Sequence, residues 1–156
     1  MGLQRVQDAA RCAVACERAT GVPAELTIAQ WALESGWGHH QPDNNCFGIK
    51  AYAGCYGVQL LETTEVINGA TQTVNREFAT FPTLAACFEK HAQLISQASP
   101  YRNVWKEYEM TKDLHALVVG VAPIYATGSN YAETLLAIIA MPEVTSALAN
   151  ARGEAS

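Results

Sequence analysis

The sequence contains no apolar run long enough to span a bilayer in its 156 residues. It is also short of positive charge. Ten Lys and Arg stand against fifteen Asp and Glu, giving a net charge of −5 and a pI near 5.3. Nucleic acids and anionic membranes both demand basic surfaces, so the balance argues against either as a partner. No basic segment followed by an apolar core lies between Met1 and Thr20, so no export signal is read there. Such a signal would have been removed, or the protein would leave the cell by another route. CxxC and HxxxH spacings are missing, which leaves His39, His40 and Cys46 as weak metal-ligand candidates, and no metal or cofactor is expected. Internal repeats, low-complexity tracts and linkers are absent as well.

What is present suits one globular domain over residues 1–156, with 49% hydrophobic and 16% charged residues. The five cysteines leave at least one thiol unpaired in a monomer. Cys12 and Cys16 share a helix face as small core residues. Cys46 and Cys55 flank a loop and either pair or stay free.

Apolar spacing predicts a first helix over Leu3 to Thr20, stopped by Gly21, and a second opened by Pro23. Wound at 100° per residue, Leu26, Ile28, Ala29, Ala32 and Leu33 gather on one side of that second helix. Thr27, Gln30 and Glu34 gather opposite. Gly36 ends the helix, which puts Glu34 in its last turn. There the partial negative charge of the helix end opposes carboxylate ionisation, and a neighbouring indole, Trp31 or Trp37, adds desolvation. A carboxyl with a raised pKa can donate a proton near neutral pH. The competing reading is an ordinary solvated glutamate.

Trp37 to Gly57 reads as a loop rich in Gly, Asn, Asp and His. Val58 to Ile67 and Ala70 to Phe81 flank Asn68-Gly69, a hairpin with a type I′ turn. On its first strand Glu62 and Glu65 point to opposite faces, and the ribbon alone is marginal enough to act as a flap. Helical spacing resumes after Pro82, with His91 at the edge of the apolar stripe. A short aromatic segment follows over Pro100 to Glu109. Asp113 to Val121 reads as a helix capped by Thr111 and interrupted by Pro123. Tyr131 to Met141 is helical, Pro142 opens a short last helix, and the chain frays from Gly153. Helices around one inserted hairpin make a mainly helical α+β arrangement.

Three separated blocks carry a resemblance. They are Leu26-Thr27-Ile28-Ala29-Gln30-Trp31-Ala32-Leu33-Glu34-Ser35-Gly36-Trp37-Gly38, Asn45-Cys46-Phe47-Gly48-Ile49-Lys50, and Tyr125-Ala126-Thr127 with Asn130-Tyr131-Ala132. In order and spacing the chain resembles the glucosaminidase family of peptidoglycan hydrolases, glycoside hydrolase family 73. The resemblance implies a lysozyme-like fold with the hairpin beside a substrate cleft. It implies Glu34 as general acid, Glu65 as a second carboxylate with Glu62 as its rival, and Tyr125 beside the reacting sugar. Gly128 and Ser129 stand where that family usually has Asp and Pro. Substrate contacts are expected from Asn45 of the second block and, since aromatic faces pack on pyranose rings, from Trp37, Phe47 and Tyr131. Trp31 and Tyr52 are further stacking candidates, Trp31 being better read as core. The implied reaction is hydrolysis of β-1,4 bonds in peptidoglycan glycan strands by an endo-β-N-acetylglucosaminidase, a monomer acting on the cell wall, in the periplasm or outside the cell. The alternatives are a muramidase or lytic transglycosylase on the same fold, or a non-catalytic glycan-binding module.

Overall fold

Helix α2 (Ala24–Ser35) is the axis of the molecule, and it is buried on nearly every side. The computed structural model describes residues 2–126, 128 and 130–154. Around α2 pack α1 (Leu3–Thr20), α3 (Leu84–Gln97), α6 (Tyr131–Ile139) and α7 (Pro142–Glu154). Helices α4 (Arg102–Thr111) and α5 (Leu114–Tyr125) complete the seven α-helices among the described residues. The two-sided pattern read for α2 therefore fails: Thr27 and Gln30 are as buried as Leu26 and Ile28, while Leu33 is exposed. The reason is that α3 and α6 cover the polar side, where Gln30 finds partners inside the protein. Each fully buried Leu or Ile of this axis contributes about 1.5–3 kcal/mol relative to exposure.

The ends of the helices follow the local chemistry. Gly21 closes α1 in the left-handed region, with φ 86°. Pro23 caps α2 from outside, one residue earlier than the N1 place expected of it. Thr83 Oγ1 accepts from the Ala86 N–H at the start of α3. Asp113, not Thr111, caps α5 by accepting from the Ala116 N–H. Pro123 does not interrupt α5, which runs on to Tyr125; the proline sits in its last turn. The aromatic segment after Pro100 is a full helix, α4, whose Trp105 faces the core.

Helix α7 is neither short nor frayed at Gly153, since it continues to Glu154. Arg152 holds it by donating to Glu17 Oε1 and Glu25 Oε1, each at 2.8 Å, and Glu154 pairs with Arg11 at 2.8 Å.

Strands β1 (Gly57–Ile67) and β2 (Ala70–Thr80) form one antiparallel hairpin, with Glu65 opposite Gln72 and Leu61 opposite Arg76. Asn68 and Gly69 both have positive φ, 52° and 79°, as a type I′ turn requires. Burial alternates along β1, so Leu61, Thr63 and Glu65 share the more covered face and Glu62 stands on the exposed one. The hairpin base is tied down by the preceding loop. Ala79 N–H donates to Ile49 O and Ala51 N–H to Glu77 O, both at 3.0 Å. All five thiols are free, so Cys46 and Cys55 do not pair.

Candidate active site

Four segments meet at the site: the end of α2, the loop Asn45–Lys50, the α5–α6 junction and the hairpin. At the first, the chain must turn sharply. Gly36, Trp37 and Gly38 all take positive φ, at 56°, 59° and 84°. Ser35 Oγ accepts from the Gly38 N–H at 2.9 Å and fastens the turn to the helix. A Cβ on Gly38 would lie 3.0 Å from both the Trp31 ring and Arg5 Cδ, so at its φ of 84° a larger residue would be both crowded and strained. Trp31 is core, and its Nε1–H donates to Gln41 Oε1 at 2.9 Å. Trp37 meets it edge to face, with ring centroids 6.2 Å apart.

Asn45 is nearly fully buried and organises the second segment. Its Nδ2 donates to Ile49 O and Ala79 O at 2.8 Å each, and its Oδ1 accepts from the Ile49 N–H at 3.1 Å. The loop is thereby joined to the hairpin base. Phe47 is fully buried: its ring stacks on His91 at 4.1 Å between centroids and offers no face to a sugar. Its backbone oxygen is used instead, accepting from Tyr125 Oη at 2.6 Å. Gly48, at φ 66°, stands beside Glu34, and a Cβ there would come into ordinary contact with Glu34 Oε2 at 3.7 Å.

Glu34 itself is half-buried, and burial pushes its pKa up, partly opposed by a hydrogen bond from Tyr131. Tyr131 Oη donates to Glu34 Oε1 at 2.9 Å and accepts from Gln30 Nε2 at 3.2 Å. Gln30 Oε1 lies 2.7 Å from His91 Nε2. An amide oxygen only accepts, so that imidazole nitrogen carries the proton. The other ring nitrogen, Nδ1, is buried without a partner. Complete burial pushes the His91 pKa down to about 3, so the ring is neutral. Burial and the nearby Glu34 charge likewise raise the Tyr125 and Tyr131 pKa values, so both hydroxyls keep their protons. The rings of these two tyrosines lie parallel, 6.3 Å apart.

Glu34 opens onto a cleft of about 840 Å³ between the helices and the hairpin, with Asn45 and Gly48 on one wall and Leu61 to Val66 on the other. Glu65 lines that cleft from the covered face of β1. Arg76 grips it with two hydrogen bonds, 2.9 and 3.0 Å, and holds its carboxyl below the usual range. Glu62 borders the same cleft from the opposite, exposed strand face. Trp37 lies outside the cleft lining. Thr127 and Ser129, part of the third block and its departure, fall outside the described residues.

Sequence reasoning brought Glu34, Glu65, Tyr125 and Tyr131 to one region but missed Gln30, His91 and Arg76. Gln30 carried a signal, being a polar residue on a helix otherwise made for burial. Arg76 carried another, since the Asn68-Gly69 turn fixes a register that puts it on the face of Glu65.

A carboxyl whose pKa is raised by burial on one wall of an open cleft, with an arginine-held carboxylate of lowered pKa on the other, is the equipment of a glycoside hydrolase. The glucosaminidase family model, described as mannosyl-glycoprotein endo-β-N-acetylglucosaminidase, matches residues 10–143, and the chain belongs to that family. It is 34% identical over 128 residues to the peptidoglycan hydrolase FlgJ of Salmonella typhimurium, covering 77% of this chain and 40% of that protein. The chain thus spans less than half of that relative. Among solved structures, a peptidoglycan hydrolase mutant from Sphingomonas sp. A1 superposes with a TM-score of 0.79 at 28% identity, covering 96% of this chain and 99% of that one. The catalytic domain of the autolysin Auto from Listeria monocytogenes gives 0.76 at 25% identity, covering 92% and 85%.

Proposed function

We propose that residues 1–156 act as one catalytic domain that hydrolyses β-1,4 bonds in peptidoglycan glycan strands, as an endo-β-N-acetylglucosaminidase. The observation that carries this is the state of Glu34. Its Oε1 is engaged by Tyr131, so Oε2, which stands beside Gly48 on the cleft wall, is the oxygen that carries a proton into the cleft. Burial keeps that proton on at higher pH than an ordinary glutamate would. Glu34 protonates the departing glycosidic oxygen, and Glu65, held ionised by Arg76, activates water or stabilises the cationic sugar. The step needs only protein carboxyls and water.

Tyr131 fixes the acid by its hydrogen bond to Glu34, and Tyr125 fixes the loop through the Phe47 carbonyl. Asn45 and Phe47 hold the loop in place and act through it, and Trp37 supports the turn after Glu34. No single described helix is long and apolar enough to cross a membrane. The site of action is the cell wall, periplasmic or extracellular, and the acting form is a monomer.

Digestion of purified peptidoglycan followed by mass spectrometry tests the reading. New reducing ends on N-acetylglucosamine are expected, and Glu34→Gln should release none while keeping its circular dichroism spectrum. Reducing ends on the muramoyl sugar, or anhydro products, would assign the other bond or a transglycosylase instead. Retention of cell wall with no sugar released by the unaltered protein would leave a binding module.

A further inference from the structure

The groove continues past Gly48. A second cavity of about 350 Å³ lies beyond the Gly48–Lys50 backbone, and those two residues line both spaces. The second cavity is walled by Tyr52, Tyr101 and Tyr125, with Lys50 and Lys90 at its edge. The two spaces differ in charge. The hairpin side carries Glu34, Glu62 and Glu65, with Lys50 at the boundary and close enough to act on Glu65; the far side is lined by Lys50 and Lys90, two of the four lysines of the chain, and by no carboxylate.

Lys90 is not a free surface side chain. It is half-buried, its Nζ sits 4.0 Å from the Tyr52 ring centroid, and it donates to Gln93 Oε1 at 3.1 Å. Among the described residues neither Lys90 nor Lys50 forms a salt bridge. A cation already held in place loses little freedom when a ligand arrives. It also answers an electrostatic problem, because a protein of net charge −5 repels an anionic substrate unless local cations reverse the field.

The geometry points to this cavity as the subsite for a peptide-bearing muramoyl sugar, with Lys50 and Lys90 meeting a carboxylate of its stem peptide. The inference rests on the peptidoglycan reading above. A strand that presents its bridging oxygen to Glu34 Oε2 lays the leaving-group sugar across Gly48, and the tyrosine walls then cover that ring. The peptide branch emerges on the lysine side, away from the three glutamates of the hairpin cleft.

Binding is measured by calorimetry in a Glu34→Gln background, which separates recognition from turnover. The probes are a glycan tetrasaccharide with stem peptides bearing free carboxylates, the same compound with those carboxylates amidated, and neutral chitotetraose. The carboxylate form should bind about 2- to 30-fold tighter than the amidated form at low salt, the yield of two ion pairs, one at exposed Lys50 and one at half-buried Lys90. The advantage should shrink as salt rises. Lys50→Gln with Lys90→Gln should remove it while leaving the melting temperature close to that of the background protein. Equal affinity for the charged and amidated forms overturns the proposal, as does a preference that survives loss of both lysines. A peptide-free strand with free lactyl carboxylates that binds as tightly as the peptide-bearing one overturns the stem-peptide assignment. Failure of the unaltered enzyme to release sugar is a separate result and bears on the enzyme reading alone.

Discussion

The Tyr131 hydroxyl points its proton at Glu34 Oε1, 2.9 Å away, because its own acceptor side is filled by Gln30 Nε2. His91 fixes the Gln30 amide in turn, by donating to its oxygen from Nε2. The direction of every hydrogen bond in this chain follows from the Gln30 amide, whose oxygen can only accept from His91 and whose nitrogen can only donate to Tyr131. Three residues with no direct access to a glycan thus decide which oxygen of Glu34 is left to carry the acidic proton.

Tyr131→Phe tests that arrangement. The hydroxyl favours the carboxylate form of Glu34, so removing it raises the Glu34 pKa further. The general acid must be protonated, hence the alkaline limb of kcat/KM should move to higher pH. Turnover at the optimum should fall roughly 10- to 100-fold, because the carboxyl is no longer held in one orientation. The pH profile on a soluble glycan decides: an alkaline limb that stays put or moves down contradicts the assignment.

Gln30→Met keeps the volume and removes both amide functions. It leaves the His91 Nε2–H unpaired and frees the Tyr131 hydroxyl to rotate. Each buried group left without a partner costs about 1–3 kcal/mol, read as a lowered urea midpoint. Turnover should drop roughly tenfold or more with KM little changed, since Gln30 touches no substrate. An effect on KM alone would place Gln30 in binding rather than in holding the acid.

Arg76→Gln acts on the other limb. Arg76 lowers the Glu65 pKa chiefly through its two hydrogen bonds, and Glu65 must be ionised to act. Without the guanidinium that pKa rises, so the acid limb of kcat/KM should move to higher pH while the alkaline limb stays. Glu62→Gln, on the exposed strand face, should leave both limbs in place. The reverse pattern would transfer the role to Glu62.

The parts of the site that were legible in the sequence are those set by local rules. Gly36 and Gly38 mark a turn that only positive φ allows, and Asn68-Gly69 sets a register that sends Glu65 and Glu62 to opposite faces. The parts that were not legible are long-range. Helical periodicity placed Thr27, Gln30 and Glu34 on an outer face because it cannot know that α3 and α6 cover it. Phe47 was expected at the cleft because an aromatic beside glycine suits a loop surface. Its ring is drawn inward instead, by His91 from a helix more than forty positions away. Pro123 looked like an interruption, yet in a last turn a missing N–H removes only one bond of the ladder.

The stability of the fold should depend on pH through two groups of opposite sign, buried His91 and half-buried Glu34. His91 has a folded pKa of about 3 against 6.5 unfolded. Its contribution is complete above pH 6.5 and is lost as pH falls, by about 1.4 kcal/mol per unit, because the unfolded chain takes up the proton. Glu34 runs the other way. Its folded pKa lies above the ordinary 4.5, so its contribution is complete below 4.5 and is lost as pH rises through the folded value. Between pH 6.5 and 4.5 the two partly cancel in the unaltered protein. Glu34→Gln removes one of them. That variant should be more stable than the parent at neutral pH, lose its advantage near pH 4.5, and show the steeper fall between. Urea unfolding of both proteins at pH 7, 5.5 and 4.5 measures this, with the His91 ring followed by NMR. A His91 resonance that titrates near 6.5 in the folded protein, or a stability difference that does not change with pH, rules it out.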